Sequence, residues 1–137
     1  IPVKEIRDVF VAGRKFEYLK DRVLAYEELM KLPVMCLEGN TSTRTYVERF
    51  LASKQVTVRP EFELATSDML IQFAVRNLGI ASVVRDFAEE HLAEGDLFEL
   101  RFSEEIPART FCIVANERIP LSAAAATLMY VLTQGAS

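Results

Sequence analysis

The sequence predicts an α/β domain with a mainly parallel sheet flanked by helices. Three observations carry this expectation. Short apolar runs of strand length alternate with runs of helical spacing, the joins between them are short, and Ile80-Ala81-Ser82-Val83-Val84 is nearly all apolar. A run of that last kind is typical of a strand buried on both faces of a parallel sheet. The 137 residues are enough for one domain with a real core and too few for two. At 50% hydrophobic and 26% charged, the composition excludes a disordered chain. A net charge of -4 advertises no nucleic-acid surface. No apolar run is long enough to span a bilayer and no signal-peptide pattern opens the chain, so a cytoplasmic protein is expected.

Taken in order, residues 3–12 end in the β-rich run Val9-Phe10-Val11, broken by Gly13. Residues 14–22 are charged, with Phe16, Tyr18 and Leu19 too irregular for an assignment. Tyr26 to Leu32 reads as a short helix ended by Pro33. A buried strand follows at 32–37, then a turn of Gly39, Asn40, Thr41, Ser42 and Thr43, then a helix with Val47, Phe50 and Leu51 on one face. Residues 56–64 read as a strand, with Pro60 arguing for an edge or a bend near its start. Thr66 or Ser67 caps the next helix, whose apolar set includes Leu70, Phe73 and Ala74, and Gly79 is its expected C′ residue. After the apolar strand at 80–84, a helix over 86–93 stops at Gly95. Leu97 to Phe102 alternates as a half-buried strand, Arg109 to Ala115 reads as a core strand, and Ala123 to Thr133 reads as a strongly apolar last helix.

Two strand–turn–helix junctions stand out, Glu38 to Arg44 and Leu64 to Asp68. The first N–H groups of a helix lack intrahelical partners and sit at the positive end of its dipole, so an anionic or polar ligand can take them. Thr41, Ser42, Thr43 and Arg44, with Thr66 and Ser67, would add side-chain donors. The plainer alternative is that these hydroxyls only cap their helices. The two turns would lie side by side at the carboxyl edge of the sheet if their preceding strands are neighbours.

Catalytic patterns are missing. The sole histidine, His91, lies on a polar helix face, and no Gly-x-Ser-x-Gly elbow, Gly-x-Gly-x-x-Gly or Walker pattern occurs. Two cysteines and one histidine are too few for a metal cluster, and Cys36 and Cys112 read as buried free thiols, with a disulfide between two core strands as the alternative. No enzyme activity, cofactor or metal is expected.

The series Pro33 to Glu38, Thr41 to Arg44, Pro60 to Asp68, Leu78-Gly79-Ile80-Ala81, Gly95-Asp96-Leu97, Pro107-x-Arg109 and Leu121-Ser122-Ala-Ala-Ala resembles the effector-binding domain of LysR-type transcriptional regulators, in the family's order and over essentially the whole chain. The resemblance implies a bilobal fold like the type 2 periplasmic solute-binding proteins, with a small anionic or polar effector in the cleft between lobes. By position, Thr41, Ser42, Thr43, Arg44, Thr66 and Ser67 would line that cleft from the second lobe and Ile80 to Val83 would floor it. Val9, Phe10 and Val11 would cross between lobes beside Ile113 and Val114 as the hinge.

The family's winged helix-turn-helix and most of its first lobe have no counterpart in these residues. The expected layout is a crossing strand over 3–12, the second lobe over 25–106, and a return strand with the last first-lobe helix over 107–134. DNA would be met only through the N-terminal region outside this chain. The last helix, with Leu128, Met129 and Leu132, would find a second copy of the chain. Two other readings stay open at this level: a solute-binding protein of the same fold serving transport, and a small α/β enzyme using Arg44 and a glutamate.

Overall fold

A computed structural model describes the backbone of residues 3–112 and the side chains of residues 5–110. Its strands are β1 (Val3–Ile6), β2 (Asp8–Ala12), β3 (Val23–Leu24), β4 (Val34–Leu37), β5 (Phe62–Leu64), β6 (Ile80–Val84), β7 (Phe98–Glu99), β8 (Arg101–Phe102) and β9 (Arg109–Cys112). The α-helices are α1 (Ser42–Ser53), α2 (Ser67–Val75) and α3 (Arg85–Glu94). The expected last helix, with Ile113 and Val114 of the expected hinge, lies outside the described residues.

Five strands form the central sheet in the order β5-β4-β6-β2-β7. β4 pairs in parallel with β5 and β6, whereas β2 runs antiparallel to both β6 and β7. Four strands therefore share one direction and β2 alone is reversed. Strand alternation sorts the core into two layers. Val9 and Val11 of β2, Met35 and Leu37 of β4, and Ala81 and Val83 of β6 pack against Leu70, Ala74 and Ala88 of α2 and α3. Phe10, Val34 and Ile80 face the other way, against Val47 and Leu51 of α1. Two short 3₁₀ helices, Arg14–Leu19 and Tyr26–Lys31, close that second layer. Each buries an i, i+3 pair, Phe16 with Leu19 and Tyr26 with Leu29, which suits three residues per turn.

Several local expectations shift. Only Phe62–Leu64 of the 56–64 run is strand. Val56 instead tucks into the layer beneath α1, and Pro60, with no N–H to give, precedes the first bond back to β4, from the Glu61 N–H to the Val34 carbonyl at 2.7 Å. The 97–102 run breaks at Leu100, whose N–H bonds the Phe10 carbonyl at 2.8 Å while the chain changes partner from β2 to β3. Asn77, not Gly79, takes the left-handed position after α2, at φ 64°. Gly79 is needed for close approach: a Cβ there would stand 2.8 Å from the Pro33 carbonyl oxygen and 3.0 Å from Met35 Cγ.

The strand pairing expected for the return strand differs as well. The strand that pairs antiparallel with the return strand β9 is β1, from Val3↔Cys112 to Ile6↔Arg109. Val9, Phe10 and Val11 lie just beyond it, inside the central sheet, because their alternating side chains are fully committed to its two cores.

One buried ion pair ties this two-stranded pair to the sheet. Arg109 donates to both carboxylate oxygens of Asp8, each at 2.9 Å, and to the Thr43 hydroxyl at 2.7 Å. Its guanidinium also lies 5.0 Å from the centre of the Tyr46 ring, and the Tyr46 hydroxyl donates to the Pro107 carbonyl at 2.8 Å. The Asp8 side chain has no exposed surface. Burial raises its pKa above the ordinary 3.8, and the hydrogen bonds and charge of Arg109 oppose that rise without cancelling it.

Two predictions follow from this packing. Arg109→Met should lose about 3–5 kcal/mol in urea denaturation at neutral pH by stranding a buried carboxylate, while adding Asp8→Leu should restore most of it. A carboxyl whose folded pKa is raised binds a proton that the unfolded chain releases. The deficit of the single variant should therefore shrink as pH falls through the folded pKa toward 3.8. Gly79→Ala should lose about 1–3 kcal/mol, because the nearest obstacle to its Cβ is the Pro33 backbone rather than a yielding side chain.

Candidate ligand-binding edge

The carboxyl ends of β4, β5, β6 and β7 and the amino end of the reversed β2 meet along one edge of the sheet. Leu37 is paired with Leu64, so the turns leaving β4 and β5 are neighbours, joined by a hydrogen bond from the Glu38 N–H to the Leu64 carbonyl at 3.0 Å. The starts of α1 and α2 therefore stand side by side. Both are capped in the same way. The Thr41 hydroxyl accepts from the Arg44 N–H at 3.2 Å, and the Thr66 hydroxyl accepts from the Met69 N–H at 3.1 Å. The Thr41 hydroxyl also donates back to the Glu38 carbonyl at 3.0 Å, which pins the turn.

The expected site residues occupy different places along this edge. Ser42 and Thr66 are exposed, and Thr41 is half-buried. Ser67 is buried, and its hydroxyl has no hydrogen-bond partner among the described residues. Thr43 is buried and committed to Arg109. Arg44 turns back onto its own fold: it bonds the Leu37 carbonyl at 3.0 Å, pairs with Glu63 at 3.2 Å, and pairs with Glu48 one helical turn on. Two carboxylates thus neutralise the charge expected to draw an anion, and they hold the pKa of Arg44 above its ordinary value against the opposing effect of burial.

Val83 is displaced from the expected floor. It is fully buried with Ala81 against α2 and α3, and the strand's alternation leaves Ser82 facing the opposite layer. A side chain with no exposed surface offers a ligand nothing directly.

The edge continues past β2 into a hollow of about 290 Å³ that no sequence pattern marked. Arg7, Asp8, Glu99, Arg101 and Glu105 give it charge, and the stacked rings of Tyr26 and Phe102, 4.2 Å apart, give it an aromatic wall. Its charges are partly paired: Arg7 with Glu105 across the mouth, and Arg85 with Glu99 at 3.0 Å. Alternation within the 97–102 run is the signal that could have brought Glu99 and Arg101 forward, but nothing local joins them to residues 7 and 8.

No imidazole reaches this edge, since His91 is near the far end of α3. There His91, Glu94 and Asp96 bring ligand-type atoms within 4.8 Å of one another, and His91 Nδ1 lies 3.3 Å from Asp96 Oδ2. What the strand-end edge offers is backbone N–H groups, hydroxyls and paired charges, which suits binding rather than bond-breaking.

Comparison with known proteins agrees with this geometry. The family model for the LysR substrate binding domain matches residues 1–137. The HTH-type transcriptional activator CmpR of Synechocystis is 26% identical over 73 residues, which are 53% of this chain and 24% of that protein. The regulatory domain of CcmR from Synechocystis, solved in complex with 2-PG, superposes with a TM-score of 0.71 at 19% identity, covering 96% of this chain and 64% of that one. The effector-binding domain of QuiR in complex with shikimate gives 0.66 at 10% identity, covering 95% and 63%. The chain thus spans about a quarter of the curated relative and under two thirds of these solved domains. On the match of its full length to the family model, this chain belongs to the LysR substrate binding domain family.

Proposed function

We propose that this chain is the ligand-sensing part of a bacterial LysR-type transcriptional regulator, and that its strand-end edge holds a small anionic or polar metabolite against a facing lobe. The observation that carries this reading is the side-by-side placement of the α1 and α2 starts, with the Ser67 hydroxyl buried beside them and unpartnered. Free helix N–H groups and an unspent donor suit a carboxylate, phosphate or hydroxyl group. The solved relatives support it, CcmR having been solved with 2-PG and QuiR with shikimate.

In this reading Ser42, Thr66 and Ser67 touch the ligand, Thr41 holds the turn, and Thr43 and Arg44 position the start of α1. Residues 7–106 act as one lobe, and β1 with β9 cross toward the other. Ligand closure changes the angle of that crossing pair, and DNA is met by a winged helix-turn-helix outside these residues. The working protein is a cytoplasmic homo-oligomer with no catalytic step. No helix among the described residues is long and apolar enough to cross a membrane.

A thermal-shift screen against small carboxylates, amino acids, sulfate and phosphate tests the site, because a ligand that binds only the folded state raises the melting temperature. A rise with one such anion should disappear in Ser67→Ala, a variant that folds at least as well because it removes a buried hydroxyl without a partner. A rise that survives in both Ser67→Ala and Ser42→Ala would place the ligand elsewhere and contradict the proposal.

A further inference from the structure

Beneath α1, on the opposite layer of the sheet from α2 and α3, lies a cavity of about 150 Å³. Its body is apolar, formed by Phe10, Val34, Val47, Leu51 and Val56. Its polar and charged lining runs along α1, from Thr43 and Arg44 in the first turn to Glu48 and on to Thr57 in the segment that leaves the helix. Protein interiors pack tightly enough that voids larger than a water are few. A dry apolar void of about this size admits a benzene-sized molecule.

Two features define what would fit. Ser82, only 5% exposed, brings a hydroxyl to the lining opposite α1, and no hydrogen bond from a described residue reaches it. The other buried hydroxyl of the lining, on Thr43, is already taken by Arg109. The charged rim, in contrast, is self-satisfied: Arg44 is paired with Glu48 and Glu63, which leaves no net positive charge to draw an anion. Cys36, also in the lining, is held as a neutral thiol, its pKa pushed up by burial to about 11. The chamber is thus apolar, uncharged, and provided with one unspent hydrogen-bonding group.

We infer that this cavity, which reaches under α1 from its first turn, is a second ligand site, for a small uncharged monocyclic molecule carrying a single hydroxyl or equivalent polar group. The ring lies among Phe10, Val34, Val47 and Leu51 and the polar group meets Ser82. Such an occupant presses on the underside of α1, whose first turn holds Thr43 against Arg109. The inference stands apart from the anion reading, since it rests on none of Ser42, Thr66 or Ser67.

Methyl NMR of the protein with phenol, toluene and benzoate as probes tests it. Phenol should shift the methyl signals of Val34, Val47, Leu51 and Val56 saturably, with toluene about fivefold weaker for want of the hydrogen bond. Ser82→Ala should bring phenol down to the affinity of toluene. Leu51→Phe should abolish both by filling the space, and the milder Val47→Ile should weaken both if the larger change unfolds the protein. Absence of saturable shifts with either neutral probe, benzoate binding as well as phenol, or phenol binding unchanged in Ser82→Ala and in the filled variant would each overturn the inference.

Discussion

The pairing of Arg109 with Asp8 is the contact on which the rest of the arrangement depends. Asp8 opens the one reversed strand of the central sheet, and Arg109 opens the strand that pairs with β1. Reversal puts the amino end of β2 among the carboxyl ends of its neighbours, so a side chain at that position meets the helix starts. Arg109 uses this closeness three ways, binding the carboxylate, the Thr43 hydroxyl and the face of Tyr46. A buried ion pair of this kind is weak support for stability, because desolvation offsets much of the attraction. Its value here is geometric, since the planar guanidinium fork fixes the β1–β9 pair, β2 and α1 in one relation.

That relation explains why the two helix starts differ in spite of identical caps. At α1, the buried hydroxyl of Thr43 is spent on Arg109 and the charge of Arg44 is spent on Glu48 and Glu63. At α2, the buried hydroxyl is that of Ser67, the residue directly after the cap, and it has no partner among the described residues. The α1 start is organised by the fold itself, and the α2 start leaves capacity for something else. Beneath α1 the situation is reversed again, with a small serine placed where a larger side chain would have filled the layer. Helix α1 is thereby held firmly at its first turn and loosely along its underside.

Much of this was legible because local chemistry and global fold agree. Thr41 and Thr66 sit where a strand, a polar turn and an apolar helix face follow one another, which is the signature of a cap. Gly95 ends α3 in the left-handed conformation for which glycine is suited, at φ 86°. The run 80–84, apolar but for Ser82, forms a strand buried on both faces. The 3₁₀ helix at 14–19 escaped notice because a single i, i+3 pair gives too short a period to register. Leu97 lies in one layer and Phe98, Leu100 and Phe102 in the other, as the alternation predicts, but spacing gave no sign that the chain changes partner after Leu100.

The features that matter most for the site were the least legible, since they join residues far apart in sequence. Glu48 lies one turn from Arg44 and could be paired with it by spacing alone, whereas Glu63 could not. Asp8 and Arg109 are separated by almost the whole described chain, so neither could be seen as half of a pair. The partner of the return strand was expected a few residues late for the same reason, because apolar alternation at Val9 to Val11 marks a strand without naming its partner. Amide hydrogen exchange on Arg109→Met reads the central claim most directly. If Arg109 holds the β1–β9 pair and α1 together, exchange should quicken both in Val3–Ile6 and in the first turn of α1, with the amides of α2 little changed. Faster exchange at the β1–β9 pair while the first turn of α1 keeps its protection would contradict that coupling.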